Sequence, residues 1–227
     1  MRRPVTRHAW RSMTFLHWTF DPAVIQAFLP SPFEVDVRDD RAWVSMTLFV
    51  MSGFRLGPLP GVPGMSTFPE TNLRTYVRGP DGHDGIWFFS LEAASLPLVV
   101  GASMLYGVPY KWADMDVTTT GETVRYRSHR RHDPSVGHDV SVRIGEHRPE
   151  ESPIDDWLTG RWRAYTTVRG RPAAVPVDHP PWPMADVTVL DLDESLFRAA
   201  GLPAVGPPIH ARYSPGVDVR LGLIRRV

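Results

Sequence analysis

The chain has 227 residues and no cysteine, and its 25 Lys+Arg residues balance 25 Asp+Glu residues. This length fits one large domain, and an apolar content of 42% with 22% charged residues is ordinary for a globular protein. Without cysteine, disulfide frameworks and cysteine-based zinc sites are excluded. The zero net charge gives no single-sign field that would favour nucleic acid or an anionic membrane.

Strand patterns dominate the chain. Aromatic and β-branched runs, or strict alternation of polar and apolar residues, predict strands at 42–50, 72–78, 86–91, 114–119, 123–128, 140–144, 162–168, 187–192 and 217–223. Turn-forming residues at 80–85 and 120–122 predict that two pairs of these strands form hairpins. The Gly/Pro run at 57–64 predicts an irregular loop.

Four short helices are predicted between the strands. Asp21-Pro22 and Ser152-Pro153 each combine a capping side chain with a first-turn proline, which predicts helices through about Phe28 and Leu158. Further helices are predicted at 98–106, as a buried apolar helix, and at 193–199. The pattern indicates a mainly β protein, with an antiparallel sheet closed or strongly curled and helices over its openings.

No apolar run approaches the length of a membrane span, and the basic stretch 1–8 is not followed by the apolar segment of a signal peptide. Prolines and glycines are dispersed, so no domain boundary is indicated. We therefore expect one cytoplasmic domain, 1–227, with neither a nucleic-acid nor a membrane partner.

Lys111 is the only lysine, so the other 24 of the 25 Lys+Arg residues are arginines. Arginine keeps its proton in proteins, whereas a buried lysine can lose it. The single lysine is therefore a candidate for imine chemistry, which needs a neutral amine. Alternatively, its stem covers an aromatic surface while the ammonium stays in water. If Lys111 points into a barrel, strand alternation makes Tyr110 and Trp112 point out.

A second candidate site is the strand that begins near Glu70. Glu70, Asn72, Arg74 and Tyr76 occupy even positions, so they share one face of a strand. If that face lines a cavity, Arg74 can orient a ligand that carries a carboxylate. The odd positions form an equally good core-facing set, so alternation leaves a solvent-facing alternative open.

Glu92 ends a very apolar strand, which indicates either a position at the rim or a structural pair with an arginine. The nine histidines match no metal-binding spacing, and the P-loop, G-x-S-x-G and dinucleotide motifs are absent. We therefore expect no metal and no cofactor.

Motifs along nearly the whole chain resemble the YqjF-like family of uncharacterised bacterial proteins. They include Phe15-Leu16-His17-Trp18, Phe68-Pro69-Glu70-Thr71-Asn72-Leu73-Arg74, Phe88-Phe89-Ser90-Leu91-Glu92-Ala93 and His179-Pro180-Pro181-Trp182-Pro183. More remotely, the family is similar to the acetoacetate decarboxylase-like superfamily. That resemblance implies a curled, cone-like β-barrel around a mostly apolar cavity.

The superfamily resemblance also implies site residues. Its decarboxylases carry two adjacent lysines in a Gly-Phe-Pro-Lys-Lys context after a helix, and residues 107–111 take that place here. Tyr110 then matches the Schiff-base lysine and Lys111 the second lysine. A glutamate on an earlier strand of the decarboxylases matches Glu70.

The resulting hypothesis is a cavity that binds a small keto acid or carbonyl-type molecule. In a lyase-like enzyme, Lys111 would form an imine or hold the carboxylate, while Tyr110 and Glu70 would handle protons. The remaining predicted ligand contacts are Arg74, Tyr76 and Glu92. Two alternatives stay open. One is a binding protein without catalysis, and the other is a structural subunit that forms a homo-oligomer through an aromatic surface of Trp10, Trp18, Trp162 and Trp182.

Overall fold

The computed structural model describes residues 4–57, 66–148 and 152–227. Most of the described residues lie in strands and few lie in helices, so the predicted mainly β class is confirmed. The strands are β1 Thr6–Phe20, β2 Glu34–Val35, β3 Val37–Arg38, β4 Arg41–Leu56, β5 Phe68–Arg78, β6 Asp84–Ala93, β7 Tyr110–Thr120, β8 Thr123–Arg130, β9 Gly137–Arg148, β10 Arg163–Val168, β11 Arg171–Asp178, β12 Met184–Glu194, β13 His210–Leu221 and β14 Arg225–Arg226. The helices are α1 Pro22–Gln26, α2 Leu96–Tyr106, α3 Pro153–Thr159 and α4 Leu196–Ala199.

The described strands form one sheet that closes on itself. Its central segment runs in the order β13–β1–β4–β5–β6. From β6, one route returns to β13 through β7, β8, β9 and β12, and a second returns through β10 and β11. The sheet is therefore a curled double ring, not a simple barrel, and the central segment is shared by both rings.

Two long strands, β1 and β11, were not predicted, and neither were the two-residue strands β2, β3 and β14. In β1 the alternation is broken by register shifts between Arg7 and Ala9 and between Arg11 and Thr14, and Ser12 within the second shift has a φ of 47°. A bulge moves the following residues to the opposite face, so the polar–apolar period is lost. In β11, Pro172 and Pro176 argue against a strand because proline cannot donate to the ladder.

The four predicted helices are present, with altered bounds. Asp21 caps α1 at the N–H of Ala23, and Ser152 forms a reciprocal capping box at the start of α3. Helix α2 ends at Gly107, whose φ of 64° and whose lack of space for a Cβ beside the Thr167 carbonyl both favour glycine. The predicted loop at 57–64 lies outside the described residues except for Gly57.

The shared segment is buried on both faces. The Leu73 face, named for its central β5 residue, packs on a large apolar cluster enclosed by the β7–β8–β9–β12 ring. The Glu70 face carries the even β5 residues and the residues opposite them. It lies between two further apolar clusters, one around Phe49 and Trp182 and the other around Tyr76 and Leu158.

Candidate functional site

The Glu70 face is a polar belt inside the sheet. Across the β4–β5 pair, Phe49 lies opposite Glu70, Thr47 opposite Asn72 and Ser45 opposite Arg74. All six of these residues are buried. The even face of β5 is therefore not solvent-facing, although the odd face is buried as well. In the middle of the belt, Thr47 Oγ1 donates a hydrogen bond to Asn72 Oδ1 at 2.5 Å, so both side chains have a polar partner there.

Glu70 and Tyr110 form a hydrogen-bonded pair at one end of this belt. The Tyr110 hydroxyl donates to Glu70 Oε2 at 3.2 Å, and Glu70 is only 3% exposed. Burial raises the pKa of Glu70 to about 8; the Tyr110 bond opposes the rise and the nearby Glu92 adds to it. Burial also raises the pKa of Tyr110 well above 10. The pair therefore holds an exchangeable proton on Glu70 near neutral pH.

Lys111 lies on the opposite side of the sheet from this pair. In the parallel β6–β7 pairing, Leu91 is opposite Tyr110, Glu92 opposite Lys111 and Ala93 opposite Trp112. Tyr110 and Trp112 pack against the Phe49 cluster, so they belong to the Glu70 face. Alternation then places the half-buried Lys111 on the Leu73 face, beside Glu92.

Glu92 is paired with an arginine, one of its two predicted settings. It is fully buried and accepts two bonds at Oε1, from Arg130 Nε at 3.0 Å and Arg130 Nη2 at 2.5 Å. Ser90 Oγ donates to its other oxygen at 3.3 Å. Glu92 is thus satisfied on the Leu73 face and acts on Glu70 only through its charge.

Arg74 is buried without a carboxylate. Its exposed fraction is 9%, its Nε has no hydrogen-bond partner, and no ion pair joins it to a carboxylate among the described residues. Burial lowers its pKa, Tyr76 opposes this as a hydrogen-bond partner, and Arg161 adds to it by charge repulsion. Burying a charge is costly unless it is paired, so Arg74 is suited to receive an anion.

A hydrogen-bonded chain of buried groups adjoins Arg74. The Tyr76 hydroxyl and Ser45 Oγ are 2.6 Å apart, and Ser45 Oγ is 2.6 Å from His17 Nδ1. Burial lowers the pKa of His17 far below 6.5, and His210 and Arg74 add to the shift. The ring of His17 is therefore neutral. Sequence reasoning did not assign His17 or Ser45 to the site, because the bulge in β1 hides which residues of β1 share a face with β5.

The four tryptophans of the oligomerisation alternative do not share one exposed surface. Trp18 and Trp182 are buried, and Trp10 stacks on Trp182 with ring centroids 5.9 Å apart. Only Trp162 is exposed, at 43%. The aromatic side chains near Glu70 are therefore part of the interior.

Within the three described ranges, no group of three or more His, Asp or Glu side chains is arranged to hold a metal ion. In the same ranges, no helix combines the length and the apolar character needed to cross a bilayer.

Comparisons with known proteins agree with this architecture. The sequence profile of the DUF2071 family, described as an uncharacterized conserved protein, matches residues 7–218. The uncharacterized protein YqjF of Bacillus subtilis (strain 168) is 34% identical over 226 residues, which cover 98% of this chain and 92% of YqjF. The chain therefore belongs to the DUF2071 family, and the resemblance to YqjF-like proteins is confirmed.

Solved structures with the same fold are far more distant in sequence. The acetoacetate decarboxylase of Legionella pneumophila superposes with a TM-score of 0.69 at 14% identity, covering 99% of this chain and 87% of the decarboxylase. The enduracididine biosynthesis enzyme MppR, solved with pyruvate, gives 0.66 at 14% identity, with coverages of 98% and 90%. These likenesses establish an acetoacetate decarboxylase-like fold.

Proposed function

We propose that the Glu70 face binds a small organic acid, with Arg74 receiving the carboxylate and Glu70 exchanging a proton beside the acid's carbonyl group. The observation that carries this proposal is the buried Arg74 guanidinium, which has no carboxylate partner among the described residues. Guanidinium and carboxylate match in geometry and charge, so a bound acid would compensate the buried cation.

The fold supports this choice of ligand. MppR, which shares the fold, is described in complex with pyruvate, a small 2-keto acid. The present chain offers the two features that such a molecule needs on one strand face. These are a cation at Arg74 and a proton-carrying group at Glu70, at even positions of β5.

The proposed chemistry is reversible proton transfer next to a carbonyl. Ionised Glu70 removes a proton from the carbon beside the carbonyl, so that the C–H bond breaks, the Glu70 O–H bond forms and an enolate results. Return of the proton reverses these changes. A pKa of about 8 suits this task because general acid–base catalysis is most efficient when the pKa lies near the working pH. In this scheme Tyr110 orients Glu70, and Tyr76 positions Arg74.

Lys111 has no covalent role in this proposal. Its strand register turns it to the Leu73 face, away from Glu70 and Arg74. The proposal therefore assigns proton transfer, not an imine, to the site.

Isothermal titration calorimetry with pyruvate tests the binding step. We expect wild-type protein to bind pyruvate and Arg74→Met to bind it about 10- to 100-fold more weakly, because hydrogen bonds to charged groups contribute about 1.5–3 kcal/mol. The control Arg125→Met removes an arginine on β8 that pairs with Asp139 near the surface. Binding that is unchanged in Arg74→Met would contradict the assignment.

Hydrogen–deuterium exchange at the pyruvate methyl group, followed by NMR in D₂O, tests the chemical step. Wild-type protein should accelerate the exchange with a rate that rises towards pH 8, and Glu70→Gln should abolish the acceleration. Tight binding with no accelerated exchange would favour the binding protein without catalysis.

A further inference from the structure

Aromatic rings form a continuous wall beside the proposed acid site. We define the aromatic wall as His8, Trp10, Phe49, His179 and Trp182. Trp10 is at its centre, with ring centroids 5.7 Å from His8, 5.7 Å from Phe49 and 5.9 Å from Trp182. The planes of Trp10 and Trp182 differ by only 3°. Trp10, the one partly exposed ring of the five, therefore offers a flat apolar surface on which a planar group can stack.

Two polar groups on this wall lack partners. His8 is 6% exposed, and neither of its ring nitrogens has a hydrogen-bond partner in the described part of the chain. The buried Nε1 of Trp10 has none either. Burial lowers the pKa of His8 to about 4, so its ring is neutral and carries one N–H. Buried N–H groups in native proteins are nearly always satisfied. Two neighbouring groups without a partner among the described residues are a place where a bound ligand can provide an acceptor.

The wall reaches both ends of the acid site. Phe49 is directly opposite Glu70 in the β4–β5 pairing. At the other end, burial lowers the pKa of His179 and the positive charge of Arg74 adds to the shift, so Arg74 acts electrostatically on a ring of the wall. A ligand held by Arg74 and Glu70 thus extends along aromatic rings.

We infer that the acid bound at this site carries a planar ring with a hydrogen-bond acceptor, which stacks on the aromatic wall and accepts from Trp10 Nε1 or His8. This inference rests on the proposed function and narrows its ligand to aryl-substituted 2-keto acids with a polar ring. Simple core packing does not account for the wall, because an apolar ring at either position would fill the space without leaving an unsatisfied N–H.

A matched series of three acids tests the inference on wild-type protein. The three acids are pyruvate, phenylpyruvate, which adds the ring, and 4-hydroxyphenylpyruvate, which adds an acceptor on that ring. Calorimetry measures the affinity of each. We expect phenylpyruvate to bind at least 10-fold more tightly than pyruvate, and 4-hydroxyphenylpyruvate a further 3- to 10-fold more tightly. Equal affinity for all three acids would overturn the inference while leaving the proposed function intact. Failure of every acid to bind would overturn both.

Two variants locate the acceptor contact. Trp10→Phe and His8→Phe keep an aromatic ring but remove the N–H. We expect one of them to abolish the 3- to 10-fold advantage of 4-hydroxyphenylpyruvate over phenylpyruvate. The control Trp87→Phe alters a tryptophan that packs on Phe33, outside the wall. If both wall variants keep the full advantage, the proposed contact is wrong. The wild-type ligand series remains decisive if either variant fails to fold.

Discussion

Two buried glutamates on opposite faces of one sheet differ in the partners that surround their carboxyl groups. Glu92 on the Leu73 face accepts two bonds from Arg130, which is buried with it. Glu70 on the other face has a tyrosine as its bonded partner, and its pKa rises to about 8. The buried Arg74 lies on the same face as Glu70 but has no ion pair with it.

The contrast distinguishes a buried charge that stabilises the fold from a buried group that can titrate or bind a ligand. A buried charge that is paired and hydrogen-bonded is fixed in place, and its loss mainly affects folding. A buried titratable group with a shifted pKa and no counter-ion can exchange protons or bind a ligand. The following changes would break or sharpen this contrast, in order of decreasing expected effect.

The largest effect is expected on the Glu92–Arg130 pair. Arg130→Met leaves Glu92 buried without a counter-ion, and this should lower the free energy of unfolding by about 3–5 kcal/mol in urea titrations. The double variant Arg130→Met/Glu92→Met should recover most of that loss. Arg74→Met serves as the control and should cost far less, because no carboxylate loses its partner. Equal losses in Arg130→Met and Arg74→Met would remove the distinction between the two faces.

The pH dependence of stability should identify Glu70. An unfolded glutamate ionises near pH 4.5, whereas Glu70 in the folded chain keeps its proton up to about pH 8. Between these values unfolding releases a proton, so the stability contributed by Glu70 falls as the pH rises, by at most about 1.4 kcal/mol per pH unit. Unfolding titrations at pH 5–9 should show that Glu70→Gln gains stability relative to wild type over this window. A difference that is constant with pH would mean that Glu70 is ionised in the folded chain.

A smaller effect is expected at Tyr110. Its hydroxyl lowers the pKa of Glu70 against the opposing effect of burial. Tyr110→Phe should therefore raise the Glu70 pKa above 8, by up to about one unit, since one hydrogen bond contributes about 1 kcal/mol. NMR titration of ¹³C-labelled glutamate side chains measures this shift. A downward shift would show that the hydroxyl does not stabilise the ionised carboxylate.

The smallest effect is expected at Lys111. Because Lys111 lies on the Leu73 face, Lys111→Ala should leave pyruvate affinity within about twofold of wild type, which is under about 0.5 kcal/mol. Borohydride treatment in the presence of pyruvate should give no covalent adduct by mass spectrometry. An adduct at Lys111 would restore the imine hypothesis and contradict the assignment of its face.

Local sequence patterns revealed much of this site but not its orientation. The two-residue period of β5 placed Glu70 and Arg74 on one face, and a strand start after Gly107 followed from the helix end there. Which face of β5 meets which core could not be predicted, because both faces are buried and the choice depends on pairings between distant strands. For the same reason, the direction of Lys111 required its register against β6.

The short connector 107–109 decides which side chain of β7 enters which core. If a one-residue insertion in this connector moved β7 by one position along β6, Tyr110 would lie opposite Glu92 and Lys111 opposite Ala93, which itself lies opposite Glu70. An amine would then stand beside Glu70, and a phenol beside Glu92. A change of one residue in the connector could therefore convert a site for proton transfer into one for imine chemistry, with the residues of the site themselves unchanged.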